Sequence, residues 1–345
     1  ELAELLQVPV LPTLMGWGSI PNDHPLYVGL AGIQTQTRAG NHALLDSDLV
    51  LAVGARFADR HTGELGVYRG ERRFIHIDVE PTQIGRVFGP DLGIVADAKL
   101  ALQALVEAAR RRLGAGRPAT GWATQVPEQR RELARKTDYD DVPVRPQRVF
   151  KELNEFFDRD TVFVTAIGLY QIFSGQLQEV YKPRHYLICG QAGPLGWEIS
   201  ACTGAKLGAP EKTVVGVVGD YSFQFLIEEV AVACQYEVPF VIVMLNNAYL
   251  GLIRQAEQGY DMNFAVNIDY DESYGMDHVK VMEGMAAFGR RVESPEEIRD
   301  ALEWAVATAE EHRRPVLVEV ICEREANAPM GAAIDAINEF DQVEA

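Results

Sequence analysis

Cysteine is scarce, and positive charge falls well short of negative. The 345 residues hold four cysteines, Cys189, Cys202, Cys234 and Cys322, with neither close pairing nor metal-ligand spacing among them. That argues against a disulfide framework or a zinc module and predicts buried, reduced thiols in a cytoplasmic protein. Lys and Arg number 32 against 50 Asp and Glu, a formal net charge of −18. No basic patch is present to release counterions, so neither a nucleic acid nor an anionic membrane is the expected partner. The run Arg110-Arg111-Arg112 reads as a solvated helix face. Also missing are a bilayer-length apolar span, a secretory signal pattern, internal repeats, low-complexity tracts and a GxGxxG fingerprint.

What the chain has is alternation. With 47% hydrophobic residues and a length beyond one ordinary core, it is expected to form two α/β domains, each a doubly wound parallel sheet. The first spans 1–113. Glu1 to Leu6 reads as the end of a helix and Val8 to Leu11 as a strand already inside a domain, so the chain reads as cut. Strands are predicted at Leu49 to Val53 and Phe74 to Asp78, and helices at Gly40 to Leu45, Thr82 to Val87 and Lys99 to Arg112. Residues 114–145, punctuated by Gly and Pro with one short helix near Glu128 to Lys136, read as a linker.

The second domain, 146–325, centres on Thr213 to Gly251. An apolar β-branched run to Val218 stops at Gly219-Asp220, a helix follows with Ser222 as a candidate cap, and a second apolar run, Phe240 to Leu245, stops at Asn246-Asn247. Parallel strands present their carboxyl ends to ligands, so Asp220 and Asn247 can converge on one point. A carboxylate with an amide carbonyl is a hard oxygen set that suits Mg²⁺ bridging a diphosphate. Taken singly, each dipeptide is equally at home as a plain turn. Ile167-Gly168-Leu169-Tyr170 ends another strand, and the glycines around Leu195 suit a loop that wraps a ring closely. Helices at His278 to Phe288 and Pro295 to Glu311, a strand at Pro315 to Ile321, a polar tyrosine-bearing insertion at 261–277 and a tail at 326–345 able to fold over the site complete the reading; His278 fits surface or core as well as a site.

The Gly219-Asp220 start and Asn246-Asn247 end together resemble the thiamine diphosphate motif. With Thr13-Leu14-Met15-Gly16-Trp17-Gly18, the stretches 54–63 and 75–85, Ala96-Asp97-Ala98, Gly193-Pro194-Leu195-Gly196-Trp197 and the run from Asn246 to Gln255, the chain is similar to the acetohydroxyacid synthase and glyoxylate carboligase group, most of all to the glyoxylate carboligases. That resemblance implies thiamine diphosphate, Mg²⁺ and a flavin, FAD, that does no net redox work. It places metal ligands at Asp220, Asn247 and the Tyr249 carbonyl. Cofactor contacts fall at Ile167, Gly168, Leu169, Tyr170, Gly193, Leu195, Gly219, Asp220, Tyr221, Ser222, Asn247, Tyr249, Leu250 and Gly251. Leu195 matches the residue that bends the cofactor by wedging between its rings, and Leu252 and Ile253 match the apolar wall of the substrate pocket. Flavin contacts fall at Thr13, Leu14, Gly29, Leu30, Gly54, Ala55, Arg56, Arg60, Asp78, Val79 and Asp97.

Tyr221 stands where many members have Gly or Ala, Ala31 and Ala58 replace the usual His and Asp of acetohydroxyacid synthases, and Ala256 follows Gln255 where those enzymes have Trp. The implied reaction joins two glyoxylates into tartronate semialdehyde with loss of CO₂, in a homodimer or homotetramer whose sites are shared between subunits and completed by an amino-terminal pyrimidine-binding domain. The rivals are carboligation of pyruvate, a cofactor-binding module without turnover, and a flavin oxidase.

Overall fold

The computed structural model describes residues 1–259, 262 and 275–340. The tyrosine-bearing insertion therefore lies almost wholly outside the described residues, as does the tail beyond 340. Among the described residues no helix is long and apolar enough to cross a membrane. The chain divides into two compact units: residues 1–16, 20–135 and 329–339, and residues 17–19, 136–328 and 340–345.

The first unit is built on three parallel strands in the order β1 (Leu49–Val53), β2 (Arg73–Asp78) and β3 (Leu92–Val95). The strand expected at 8–11 shrinks to a single bridge between Val10 and Tyr27. The helix expected at 82–87 shrinks to a 3₁₀ turn, Pro81–Gln83, because Gly85 takes φ +78° two residues later. Phe57, Tyr68 and Phe74 form its aromatic core, with ring centroids 6.0–6.1 Å apart.

The boundary regions differ from expectation. Residues 114–135 belong to the first unit: Thr120 caps a helix, Gly121–Glu132, whose Val126 is fully buried beside Val28, Ala39 and Ala43. The tail forms a hairpin, Met330–Ala333 with Ala336–Asn338, that bridges Gly63 and buries Ile334 among the same aromatic rings. Apolar burial of Val126 and Ile334 incorporates both segments into this unit, about 1.5–3 kcal/mol for each such side chain.

Arg72 is the polar keystone here. It is 8% exposed, and its guanidinium donates to the carbonyls of Leu44 (2.6 Å), Leu45 (3.1 Å), Val67 (3.1 Å) and Tyr68 (2.9 Å), groups at the carboxyl ends of two helices, Arg38–Leu45 and Leu65–Arg69, where carbonyls run out of intrahelical donors.

The second unit has six parallel strands in the order β5 (Tyr186–Ile188), β4 (Val162–Thr165), β6 (Val214–Gly219), β7 (Val241–Asn246), β9 (Val316–Ile321), β8 (Phe288–Val292). Every residue of β4, β6, β7 and β9 is buried, as near-continuous Val and Ile runs require of strands covered on both faces. Following β4 the chain moves first to β5 on one side and then to β6 on the other, so the strand order reverses between β4 and β6. The helix expected at 278–288 stops at Gly284, with Ala286 at φ +64°, and residues 288–292 form the edge strand β8.

The helix expected after β6 is broken in two, Asp220–Phe225 and Glu229–Gln235. Gly196 approaches so closely at the break that a Cβ there would lie 2.8 Å from Phe225 Cβ and 3.1 Å from Leu226 N. Ser222 is consequently no cap. Gly219 holds that position, and the Ser222 hydroxyl accepts the Gly196 N–H at 2.9 Å.

Arg72→Lys keeps the charge and loses the fork, so it should lower the unfolding free energy by about 2–3 kcal/mol, read as a lower urea midpoint at unchanged slope. An unchanged midpoint would show that the clamp contributes nothing.

Candidate functional site

A cavity of about 300 Å³ opens at the carboxyl ends of β4, β6 and β7, against the reversal in strand order where open α/β sheets take their ligands. Its wall includes Ile167, Gly168, Leu169, Tyr170, Gly193, Leu195, Gly219, Asp220, Tyr221, Ser222, Asn247, Tyr249, Leu250, Gly251, Leu252 and Ile253. Every candidate drawn from the second domain thus lines one space. Pro146, Phe173, Leu245, Cys322 and Ala326, which the motifs did not single out, line it too.

Glycine makes the close approaches possible. The Tyr170 ring is flanked by Gly168 and Gly219, where a Cβ would fall 2.6 and 2.8 Å from ring atoms. Gly251 opens the helix Gly251–Gly259 hard against Asn247, and a Cβ there would lie 2.9 Å from Asn247 Nδ2.

Asp220 begins its helix directly after β6 and is 1% exposed. Its Oδ2 has no hydrogen-bond partner among the described residues. Burial pushes its pKa up to about 8, with the Glu319 charge adding to the rise, against hydrogen bonds from backbone N–H groups, including that of Asn247, which lower it. Asn247 donates Nδ2 to the Arg324 carbonyl at 3.3 Å, which leaves Oδ1 as the end of the amide available to a ligand. A buried, unpartnered carboxylate oxygen beside an amide oxygen fits a hard divalent cation.

Glu198 carries no motif, yet it lies directly behind this wall. It is fully buried, and its Oε1 accepts the Tyr170 hydroxyl at 3.0 Å while Oε2 lacks a partner among the described residues. Burial raises its pKa, and burial followed by the Glu198 charge raises that of Tyr170 well above the ordinary phenol value. The sequence signal was an acid one residue beyond the Gly193–Trp197 loop, which reads equally well as a solvated first-turn residue.

The flavin candidates all belong to the first unit. Gly54, Ala55 and Arg56 follow β1, Asp78 and Val79 end and follow β2, and Asp97 lies just beyond β3, so these share the carboxyl edge of that sheet. Arg56 and Arg60 are exposed and Val79 is 70% exposed. Others have evident local duties. Asp97 caps Ala98–Leu113 through Leu100 N, Asp78 accepts Glu80 N at 2.9 Å, and Thr13 Oγ1 accepts Gly16 N at 3.3 Å with Leu14 in the same turn. Gly29 faces Thr37 too closely for any Cβ, and Leu30 is buried with its carbonyl bonded to Thr37 N.

A parallel α/β sheet with glycine-walled strand ends and a buried cation-ready acid defines a class of proteins that seat an anionic cofactor at the switch point. Family comparison narrows this. Residues 166–320 match the C-terminal TPP binding domain of the thiamine pyrophosphate enzymes and residues 1–105 match their central domain, so the chain belongs to that family. It is 50% identical to a glyoxylate carboligase of Escherichia coli O157:H7, over 99% of this chain and 59% of that protein. It is 33% identical to a probable acetolactate synthase large subunit of Methanocaldococcus jannaschii (96% and 55%), and 32% identical to the acetolactate synthase isozyme 3 large subunit of Escherichia coli K12 (91% and 54%). The chain therefore spans little more than half the length of these relatives.

The Asp220 carboxyl is ionised in the unfolded chain above about pH 4 and stays neutral in the cation-free fold up to about pH 8. Its folded pKa is raised, so the stability it contributes is full below pH 4 and is lost as pH climbs toward 8. Asp220→Asn cannot ionise. In chelator it should overtake the wild type across that window, by roughly 5–10 °C in melting temperature at pH 8, and it should lose the stabilisation that Mg²⁺ gives the wild type. Parallel melting curves against pH would contradict the burial argument.

Proposed function

We propose that this chain carries the diphosphate-binding half of a cytoplasmic glyoxylate carboligase, joining two glyoxylates into tartronate semialdehyde with release of CO₂. The observation that carries the reading is the unpartnered Oδ2 of Asp220 beside Asn247 at the floor of a mostly apolar cavity. Asp220, Asn247 and the Tyr249 carbonyl would hold Mg²⁺, and the cation would hold the diphosphate. Thiamine diphosphate supplies a nucleophilic carbon and the electron sink for decarboxylation and carboligation. Ile167, Gly168, Leu169, Tyr170, Gly193, Gly219, Tyr221, Ser222, Leu250 and Gly251 would wall the cofactor.

Leu195 would pack against the cofactor, and Leu252 and Ile253 would present a dry face to the small acid. Such a face favours the step that disperses carboxylate charge. Ile253 is 47% exposed and so stands at the rim, where substrate enters. The carboxyl edge of the first sheet, with Gly54, Ala55, Arg56, Asp78, Val79 and Asp97, would hold FAD together with Thr13, Leu14, Gly29, Leu30 and Arg60. Arginines that meet phosphates and an acid that meets a ribose hydroxyl support that reading. A homodimer or homotetramer that shares its sites between subunits belongs to the same proposal.

The second reading, carboligation of pyruvate, draws on the acetolactate synthases that are 32–33% identical. CO₂ release by the full-length enzyme with Mg²⁺ and thiamine diphosphate separates the two. Glyoxylate should be turned over in preference to pyruvate. Asp220→Ala should cost about 100-fold or more, since the loss of even an outer partner of a metal ligand costs 10–100-fold. Release from pyruvate alone would overturn the substrate, and undiminished turnover by Asp220→Ala would overturn the site.

A further inference from the structure

Glu319 is the one charged residue of β9, in a strand otherwise composed of Val, Leu and Ile, and it is 0% exposed. Its oxygens are fully engaged. Oε1 accepts His278 Nδ1 at 2.7 Å and Asn246 Nδ2 at 2.7 Å, and Oε2 accepts Arg291 Nε at 2.8 Å from the neighbouring β8, where the two residues are in register. Burial opposes the charge, and the bonds from His278, Asn246 and Arg291 outweigh it, so the carboxyl stays below its ordinary range. An apolar residue in such a strand would be at least as stable, because a buried ion pair commonly gives back no more than its desolvation costs. The carboxylate therefore calls for a reason other than stability.

We propose that Glu319 is a positioning residue for the cation site, acting through Asn246 to fix the turn that carries Asn247 and Tyr249. The geometry leaves Asn246 one orientation. A carboxylate only accepts, so Nδ2 must face Glu319, and Oδ1 is left to accept the Ala248 N–H at 3.0 Å. The Asn246 carbonyl in turn accepts Cys322 N–H at 2.8 Å, which ties the same residue to β9 through its main chain.

Ala248 is fully buried at φ +59°, a left-handed conformation that costs an L-residue about 1–2 kcal/mol. The Asn246 side chain holds it there. Asn247 is trapped between these two residues, with its own N–H bonded to Asp220 and its Nδ2 sent to Arg324. With Asn246 released, Ala248 can relax to negative φ and both Asn247 Oδ1 and the Tyr249 carbonyl turn with it. His278, fully buried at the start of the helix His278–Gly284, and Arg291 are in this view the groups that hold Glu319 ionised and aimed.

The inference rests on the cation reading above, and its test is chosen to separate the two. Mn²⁺ binding to the full chain, with thiamine diphosphate present, is followed by electron paramagnetic resonance, and folding by circular dichroism and melting temperature. Asn246→Ser and Asn246→Leu should each weaken Mn²⁺ about tenfold or more while remaining folded. The exchange Asn246→Asp with Glu319→Gln restores one donor and one acceptor at unchanged net charge, and should bring the affinity back to within about threefold of wild type. A folded single variant with wild-type affinity, or an exchange no better than the single variants, overturns the proposal. So does failure of both single variants to fold, because a residue that only aims the turn is not required for folding. No Mn²⁺ binding by the wild-type chain would overturn the cation reading itself, and this inference with it.

Discussion

The second unit depends on one unresolved cost, a carboxylate at the end of β6 buried without a partner for Oδ2. A group in that position is neutral or paired in an ordinary core, since an isolated buried charge costs far more than a fold's whole margin. Among the described residues the contacts that lower its pKa are backbone N–H groups, and Glu319 adds a like charge. The cost is local, and the strands on either side, β4 and β7, are fully buried.

Position in the sheet explains why the acid is where it is. The reversal of strand order between β4 and β6 separates the helices that follow them, and the gap admits a ligand. Glycines at 168, 196, 219 and 251 bring backbone to the edge of that gap at distances no side chain allows, and Gly193 takes φ +57° there. Behind the wall, two buried acids behave in opposite ways. At Glu198 burial outweighs the hydroxyls of Ser222 and Tyr170 and the backbone N–H groups, and its pKa rises, whereas Glu319 has an imidazole, an amide and a guanidinium, and its pKa falls.

Much of this was legible in the sequence because it is local. The run from Thr213 to Gly251 contains both strands, both polar strand ends and the helix between them, so one contiguous βαβ unit carried the signal. The edge strands β3, β5 and β8 were missed: β5 is three residues, too short to read as a run, and β3 and β8 sit at edges, which need fewer apolar residues. Leu92–Val95 is four residues with a glycine, and Phe288–Val292 holds two arginines, one of which, Arg291, bonds Glu319 on the adjacent strand. The tail hairpin was invisible because its partners, Gly63 and the rings of Phe57, Tyr68 and Phe74, are far away in the chain. Ser222 was misread as a cap because its true partner, Gly196 N–H, comes from another loop. Glu319 could have been noticed as a lone charge in a β-branched run, a pattern that asks for a buried partner without naming it.

Whether Asp220 takes a cation is read most directly from the anomalous difference density of crystals grown with Mn²⁺ and thiamine diphosphate. A single strong peak is expected about 2.1–2.2 Å from Asp220 Oδ2, with Asn247 Oδ1 and the Tyr249 carbonyl as its other protein ligands. Density for the cofactor with no metal at that point, or Asp220 Oδ2 bonded to a protein donor in its place, would contradict the cation reading.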